Sequence, residues 1–245
     1  MANHSALDIY TTCEPHMPFE QPNSSVLLDY ISKNCGRLSS SLERLWTRDD
    51  LKDIYPRFLI LLHQIVRASV PLLNAAHHSS VSMSVDNDKY ATLAEYYLTH
   101  TKEEENHDVW FLDDLADCGF DRNEILRLVP SPIVASLVGS QYYWISHYSP
   151  ISLLGYIIIL EGNPPSNSHI QMLREKTLLP DCAFRTYTLH GDSDPTHVNC
   201  WIQALDKLQL SFHDFMLLQL SALNTANQFA ICLDNIEMIS CPNST

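Results

Sequence analysis

Glycine is scarce, with 6 in 245 residues. A chain so poor in the residue that tight turns demand suits long helices better than a turn-rich β fold. Basic residues are also few: 15 Lys and Arg stand against 29 Asp and Glu, a formal net charge of −14. A surface that acidic repels phosphate backbones and argues against nucleic acid as a partner. None of the 7 cysteines forms a C-x-x-C pair, so neither a zinc ribbon nor a dithiol redox motif is encoded. Scattered and odd in number, these thiols suit a reducing cytoplasm. The first 25 residues lack both a basic and a strongly apolar segment, which reads as no signal peptide. The longest apolar run, residues 151–160, is too short to span a bilayer and ends in Glu161. A soluble, cytoplasmic protein with no membrane contact is expected.

What is present is helical periodicity. Apolar residues make up 45% of the chain, enough for a substantial core. The pattern predicts an N-terminal arm over residues 1–24, discouraged from helix by Pro15, Pro18 and Pro22, then one helical domain over 25–238 and a tail over 239–245. A first helix runs from Ser25 through Leu45. Thr47-x-x-Asp50 resembles a capping box opening a second, which Pro71 kinks or ends. Residues 78–87, rich in Ser, read as a loop, and 89–117 as one long helix stopped by Gly119. Asp121 opens a short helix, while Ser131-Pro132 and Ser149-Pro150 start two more. Another covers about 166–178, and 183–236 is helical with breaks at 191–195 and near Leu210-Ser211. No convincing strand alternation and no repeat is found, so the fold class is an all-α bundle of seven or more helices.

Three clusters carry ligand chemistry. In the helix over 89–117, His100, Glu104 and His107 fall on one face, within roughly 60° at about 100° per residue. Glu104 and His107 form an E-x-x-H pair, a spacing that gives a carboxylate and an imidazole to one metal centre, although such pairs also occur on solvated faces. Glu161 ends the apolar run Ile157-Ile158-Ile159-Leu160; it either reaches solvent or is buried against a partner. In a helix His190, Asp194 and His197 would share a face, unless Gly191 and Asp194-Pro195 interrupt it, with Asp194 serving as an N-cap. Imidazoles with carboxylate oxygens and no thiolate suit iron or manganese. Three carboxylates and three imidazoles from three helices are the complement of a two-metal site.

The order E-x-x-H, lone Glu at the end of an apolar helix, H-x-x-x-D-x-x-H resembles the haem-oxygenase-like diiron oxidases, also called the iron-containing redox enzyme family. The surrounding text agrees: HTKEEENHDVWFLDDLADCG over 100–119, LLGYIIILEG over 153–162 and TLHGDSDPTH over 188–197. The resemblance covers about residues 26–236 and implies a haem-oxygenase-like helical bundle. It implies two Fe(II) ions held by Glu104, His107, Glu161, His190, Asp194 and His197, with O2 as co-substrate. Glu103 could replace Glu104 as a ligand, and His100 could serve as a further ligand or a supporting group.

The implied activity is oxidation or oxygenation of a small carboxylate-bearing molecule, with an amino acid first in line, by C–C cleavage or N-oxygenation. A small-molecule substrate, an external electron donor and a homodimer are the implied partners. Tyr142, Tyr143, Trp144, Tyr148 and Tyr156 suggest an aromatic pocket wall, and Lys102, Arg174 or Arg185 a clamp for the carboxylate. The alternatives are a metal-free hydrolase or cofactor-binding relative of the same fold, a ferritin-like iron protein with Glu43 as its bridging glutamate, and a non-enzymatic interaction protein.

Overall fold

The computed structural model describes residues 21–85, 87–162 and 164–242; the side chains of residues 192–197 lie outside that description. Twelve α-helices follow in order: α1 (Asn23–Asn34), α2 (Gly36–Trp46), α3 (Leu51–Val66), α4 (Ser69–Met83), α5 (Asp88–Glu103), α6 (His107–Asp117), α7 (Arg122–Arg127), α8 (Pro132–His147), α9 (Ser152–Glu161), α10 (Asn167–Thr177), α11 (Arg185–Lys207) and α12 (Phe212–Asp234). Short 3-10 turns cover Asp181–Phe184 and Ile236–Met238, and no strand occurs among the described residues. The all-α bundle expected from the sequence is what forms.

Two helices lie inside the bundle. Residues 152–158 of α9 are all buried, an unbroken run on every side of the helix. It can sit there because Gly155 has no side chain: a Cβ would lie 2.5 Å from the Leu218 carbonyl oxygen and 2.9 Å from the Ala222 nitrogen. The backbones of α9 and α12 therefore touch. The second inner helix is α3, where Tyr55, Leu59, Ile60 and Leu61 are fully buried. It is tied to α6 by the His63 Nδ1 to Asp108 carbonyl contact of 3.1 Å.

Several boundaries follow from local chemistry read in the sequence. Ser131 and Ser166 accept hydrogen bonds from the Val134 and His169 nitrogens, and Asp121 caps Asn123 and Glu124. Gly119 takes φ 91° after α6, and the Phe120 nitrogen returns to the Leu115 carbonyl at 3.1 Å, closing the helix end.

Other expectations are corrected. The helix over 89–117 is two helices, separated by a left-handed Asn106 at φ 70°; asparagine tolerates that conformation better than most residues. The break at 191–195 does not exist, because α11 continues through it. Gly191 is instead a contact residue, since a Cβ there would lie 2.7 Å from the Pro165 carbonyl oxygen. Cys35 divides the first helix into α1 and α2. The Thr47–Asp50 capping box is absent: the Thr47 hydroxyl donates back to the Glu43 and Arg44 carbonyls, and Asp50 pairs with Arg48. Helix α4 runs into the Ser-rich segment as far as Met83, with the Ser82 hydroxyl donating to His78 of its own helix. The second helix ends at Val66, and Pro71 sits in the first turn of α4, where no backbone donor is needed. The chain enters α9 at Ser152, just after the Ser149-Pro150 signal.

The N-terminal arm falls outside the described residues, apart from 21–24, and α1 already begins at Asn23. Among the described residues Leu51–Met83 is the stretch long and apolar enough to cross a membrane by length and composition, and Ser152–Glu161 is shorter. Leu51–Met83 is divided between α3 and α4, and half of its most apolar window is buried in the bundle.

Candidate metal centre

The turn between α5 and α6 concentrates ligand-type side chains. Glu104 closes α5 with its nitrogen bonded to the His100 carbonyl at 3.0 Å, Asn106 reverses the backbone, and His107 opens α6. His100, Glu104 and His107 are 1%, 5% and 4% exposed, too deep for a solvated helix face. The three converge as expected, through an elbow rather than along a continuous helix. From the end of α9 Glu161 reaches the same place: its Oε1 lies 3.1 Å from His100 Nε2.

Ligand atoms of His100, Glu104 and Glu161 all lie within 4.8 Å of one another. The other ring nitrogen of His100, Nδ1, meets Glu103 Oε2 at 3.1 Å. A carboxylate that holds one imidazole nitrogen and aims the other at a common point is the usual support for a metal-binding histidine. Glu103 is placed to orient the His100 ring, and Glu104 brings its carboxylate into the cluster. His100, open in the sequence as a further ligand or a supporting group, places a ring nitrogen in the cluster.

The electrostatics call for positive charge. Burial works against a charge on His100, but the neighbouring Glu161, hydrogen bonds to Glu103 and Glu161, and the Glu104 charge push its pKa up to about 10. Burial would raise Glu104, yet the hydrogen bond and charge of His107, with His100 and His190, hold it below the ordinary carboxylate value. Glu104 Oε1 and His107 Nδ1, both buried, are 3.1 Å apart. Two atoms each about 2.1 Å from one ion stand about 3 Å apart. The donor set therefore fits a metal ion.

His190 of α11 continues the site. Its ring meets that of His107 edge to face at 5.0 Å and lies nearly parallel to Phe111 at 6.0 Å. The start of α11 is fixed against α6 by Asp114, whose Oδ2 accepts the Thr186 backbone hydrogen at 2.9 Å, and by the Arg185–Asp117 ion pair. Asp194 and His197 lie outside the described side chains; the unbroken α11 backbone carries them one and two turns beyond His190. Glu43, the bridging residue a ferritin-like centre would use, is exposed on α2.

The cluster lies at a cavity of about 770 Å3, lined by His100, Glu104, Glu161 and His190 together with apolar side chains of α1, α2, α3, α4 and α9. Of the aromatics expected to line it, only Tyr156 does; Tyr142, Tyr143 and Tyr148 are exposed. Trp46, Phe58 and Tyr187 supply the aromatic wall instead, with Trp46 and Phe58 packed edge to face at 4.9 Å. They come from three separate elements, so no sequence window could group them. Two tyrosines flank the cluster: Tyr96 stacks on His100 at 5.5 Å, and the hydroxyls of Tyr96 and Tyr156 are buried without a hydrogen-bond partner among the described residues. Burial first, then the Glu161 charge, push both phenols up, so they remain protonated donors.

A buried His–carboxylate cluster inside an all-α bundle is a setting in which helical proteins can hold metal ions. The chain belongs to the iron-containing redox enzyme family, whose pattern it matches over residues 62–211, more than half its length. Among solved structures it is similar to a domain of unknown function with a heme oxygenase-like fold from Shewanella denitrificans OS217. That likeness has 19% identity and a TM-score of 0.61, covering 88% of each chain. It is also similar to a TenA homolog from Pseudomonas syringae pv. tomato DC3000, at 11% identity and TM-score 0.68, covering 88% of this chain and 93% of the other. At these identities the likeness shows the heme oxygenase-like fold alone. No curated protein matches the chain.

Proposed function

We propose that the protein is an O2-using, non-haem diiron oxidase whose centre is built on His100, Glu104, His107, Glu161 and His190, with Asp194 and His197 of α11 completing the set. The observation that carries this reading is the buried cluster of His100, Glu104 and Glu161, with an oriented imidazole and carboxylates that hold positive charge, set on a cavity large enough for a substrate. When bound, two Fe(II) ions would supply the electrons and Lewis acidity for O2 chemistry. The chain contributes the rest. Glu103 fixes the His100 ring, and the elbow at Asn106 turns His107 toward Glu104. The apolar walls exclude water from the reacting bond, and the Tyr156 hydroxyl offers a proton to a polar group placed beside Glu161.

A metal-free hydrolase on this fold would need its own nucleophile. Among the described residues Cys35 is the only thiol lining the cavity, and burial pushes its pKa up, away from the reactive thiolate. The test of the oxidase reading is anaerobic Fe(II) titration followed by mixing with O2-saturated buffer. About two irons per chain and a visible band that forms with O2 and decays are expected. No tight iron binding would remove the reading.

A further inference from the structure

A second cavity, of about 290 Å3, lies where the end of α3, the start of α8 and the turn after α12 meet. It shares no lining residue with the larger cavity, so it stands apart from the metal centre. Its wall carries no Lys, Arg, Asp, Glu or His; Lys102, Arg174 and Arg185 line neither cavity. Pro130 and Pro132 flank Ser131 in the wall and bring no backbone donor. The Ser131 oxygen accepts from the Val134 nitrogen, and the Asn235 amide donates to the Ile231 carbonyl at 2.8 Å. Burial pushes the Cys232 thiol up to about 12, so it stays neutral. Ile133 and Ile239 supply aliphatic surface, and the mostly exposed Val129 and Met238 form a rim open to solvent.

One polar group in this wall is left over. Gln64 is 7% exposed, and its Oε1 is buried with no hydrogen-bond partner among the described residues. Buried side-chain oxygens are almost always paired, because an unpaired acceptor has lost its water and gained nothing. A leucine on the same inner helix would fill the space without that cost. Size sets the other limit. A cavity of about 150 Å3 takes one benzene ring, so this one takes about two fused rings.

We propose that this cavity is a second ligand site, which takes a flat, uncharged molecule of about two fused rings with one N–H or O–H donor directed at Gln64 Oε1. The assignment does not depend on the oxidase reading, since none of these residues belongs to the cluster.

The experiment is calorimetric titration of the full chain with indole and with benzofuran, which has the same fused rings but an ether oxygen in place of the N–H. Indole should bind about fivefold to tenfold more tightly. Gln64→Leu keeps the bulk without the acceptor; it should leave benzofuran bound, erase or reverse the preference, and be at least as stable as the parent. Ile133→Trp fills the cavity and should weaken both probes by about tenfold or more. Should Ile133→Trp not fold, Met238→Trp at the exposed rim tests the same wall. Equal binding of the two probes, or a preference that survives Gln64→Leu, overturns the proposal. So does binding untouched by the filling substitution, which would place the probes in the larger cavity. A destabilised Gln64→Leu would mean that the oxygen already has its donor within the fold, and overturns it as well.

Discussion

The two sides of the candidate centre are built in opposite ways. On one side the backbone breaks: α5 stops at Glu103, Asn106 turns left-handed, and three ligand-type side chains of one short segment are buried together. On the other side the backbone does not break at all, and α11 runs 23 residues past the cavity, bringing His190 against His107. The elbow needs one residue that tolerates positive φ. The long helix needs one residue small enough to pass the Pro165 carbonyl, which is Gly191. A face of ligands can thus be made by bending a chain or by sliding a straight helix close to a loop, and each solution hangs on one replaceable residue.

The largest expected effect separates the cluster from its support. Glu161→Ala and His100→Ala each remove a proposed ligand and should lower Fe(II) affinity by more than about 100-fold, while Glu103→Gln, which on this reading only loosens His100, should cost about 10- to 100-fold. Competition with a chromophoric chelator measures all three. Equal losses for Glu103→Gln and Glu161→Ala would erase the distinction between orienting group and ligand.

Next come the close approaches. Gly155→Ala must push α9 off the α12 backbone and should destabilise the fold by about 1–3 kcal/mol in urea denaturation. Gly191→Ala should act in the same direction, and only if α11 passes the Pro165 loop as described. A stabilising Gly191→Ala would mean that α11 does not pass the Pro165 carbonyl so closely.

The elbow gives a smaller effect with a sharper sign. Asn106→Ala forces a Cβ residue into left-handed backbone and should cost about 1–2 kcal/mol, whereas Asn106→Gly should be near neutral. A continuous helix over 89–117 would reverse the order, with Ala better than Gly.

The smallest effect concerns the tie between the two sides. Burial pushes Asp114 up to about 6 despite the hydrogen bonds from Thr186. Its folded pKa lies above the unfolded value, so the folded state favours the protonated acid. The group's stabilising contribution is present below about pH 4 and lost as pH rises through about 6. Asp114→Asn keeps an acceptor for the Thr186 nitrogen without the charge. It should therefore be more stable than the parent at pH 7, with the difference fading toward pH 4. Denaturation midpoints across that range check the sign.

Much of this was legible before any coordinates. Proline after serine at 131–132, the Asp121 cap and the Gly119 stop are local signals, and the structure obeys them. That Glu104, His107, Glu161 and His190 come close together was readable because their spacing is a one-dimensional pattern. The Asn106 turn was not, because nothing in the apolar period across 89–117 marks a reversal that tertiary burial enforces. Gly191 misled for the same reason: its role is contact with Pro165, twenty-six residues earlier. The cavity wall was least legible of all. The exposed Tyr142, Tyr143 and Tyr148 cluster in the sequence, while the lining Trp46, Phe58 and Tyr187 meet only in space.

The most direct test is the anomalous scattering of crystals loaded anaerobically with Fe(II). The account predicts two iron peaks about 3.5–4 Å apart, one of them bounded by His100, Glu104 and Glu161 and the pair lying between the elbow and α11. Iron absent from that position, or held elsewhere on the surface, would contradict it.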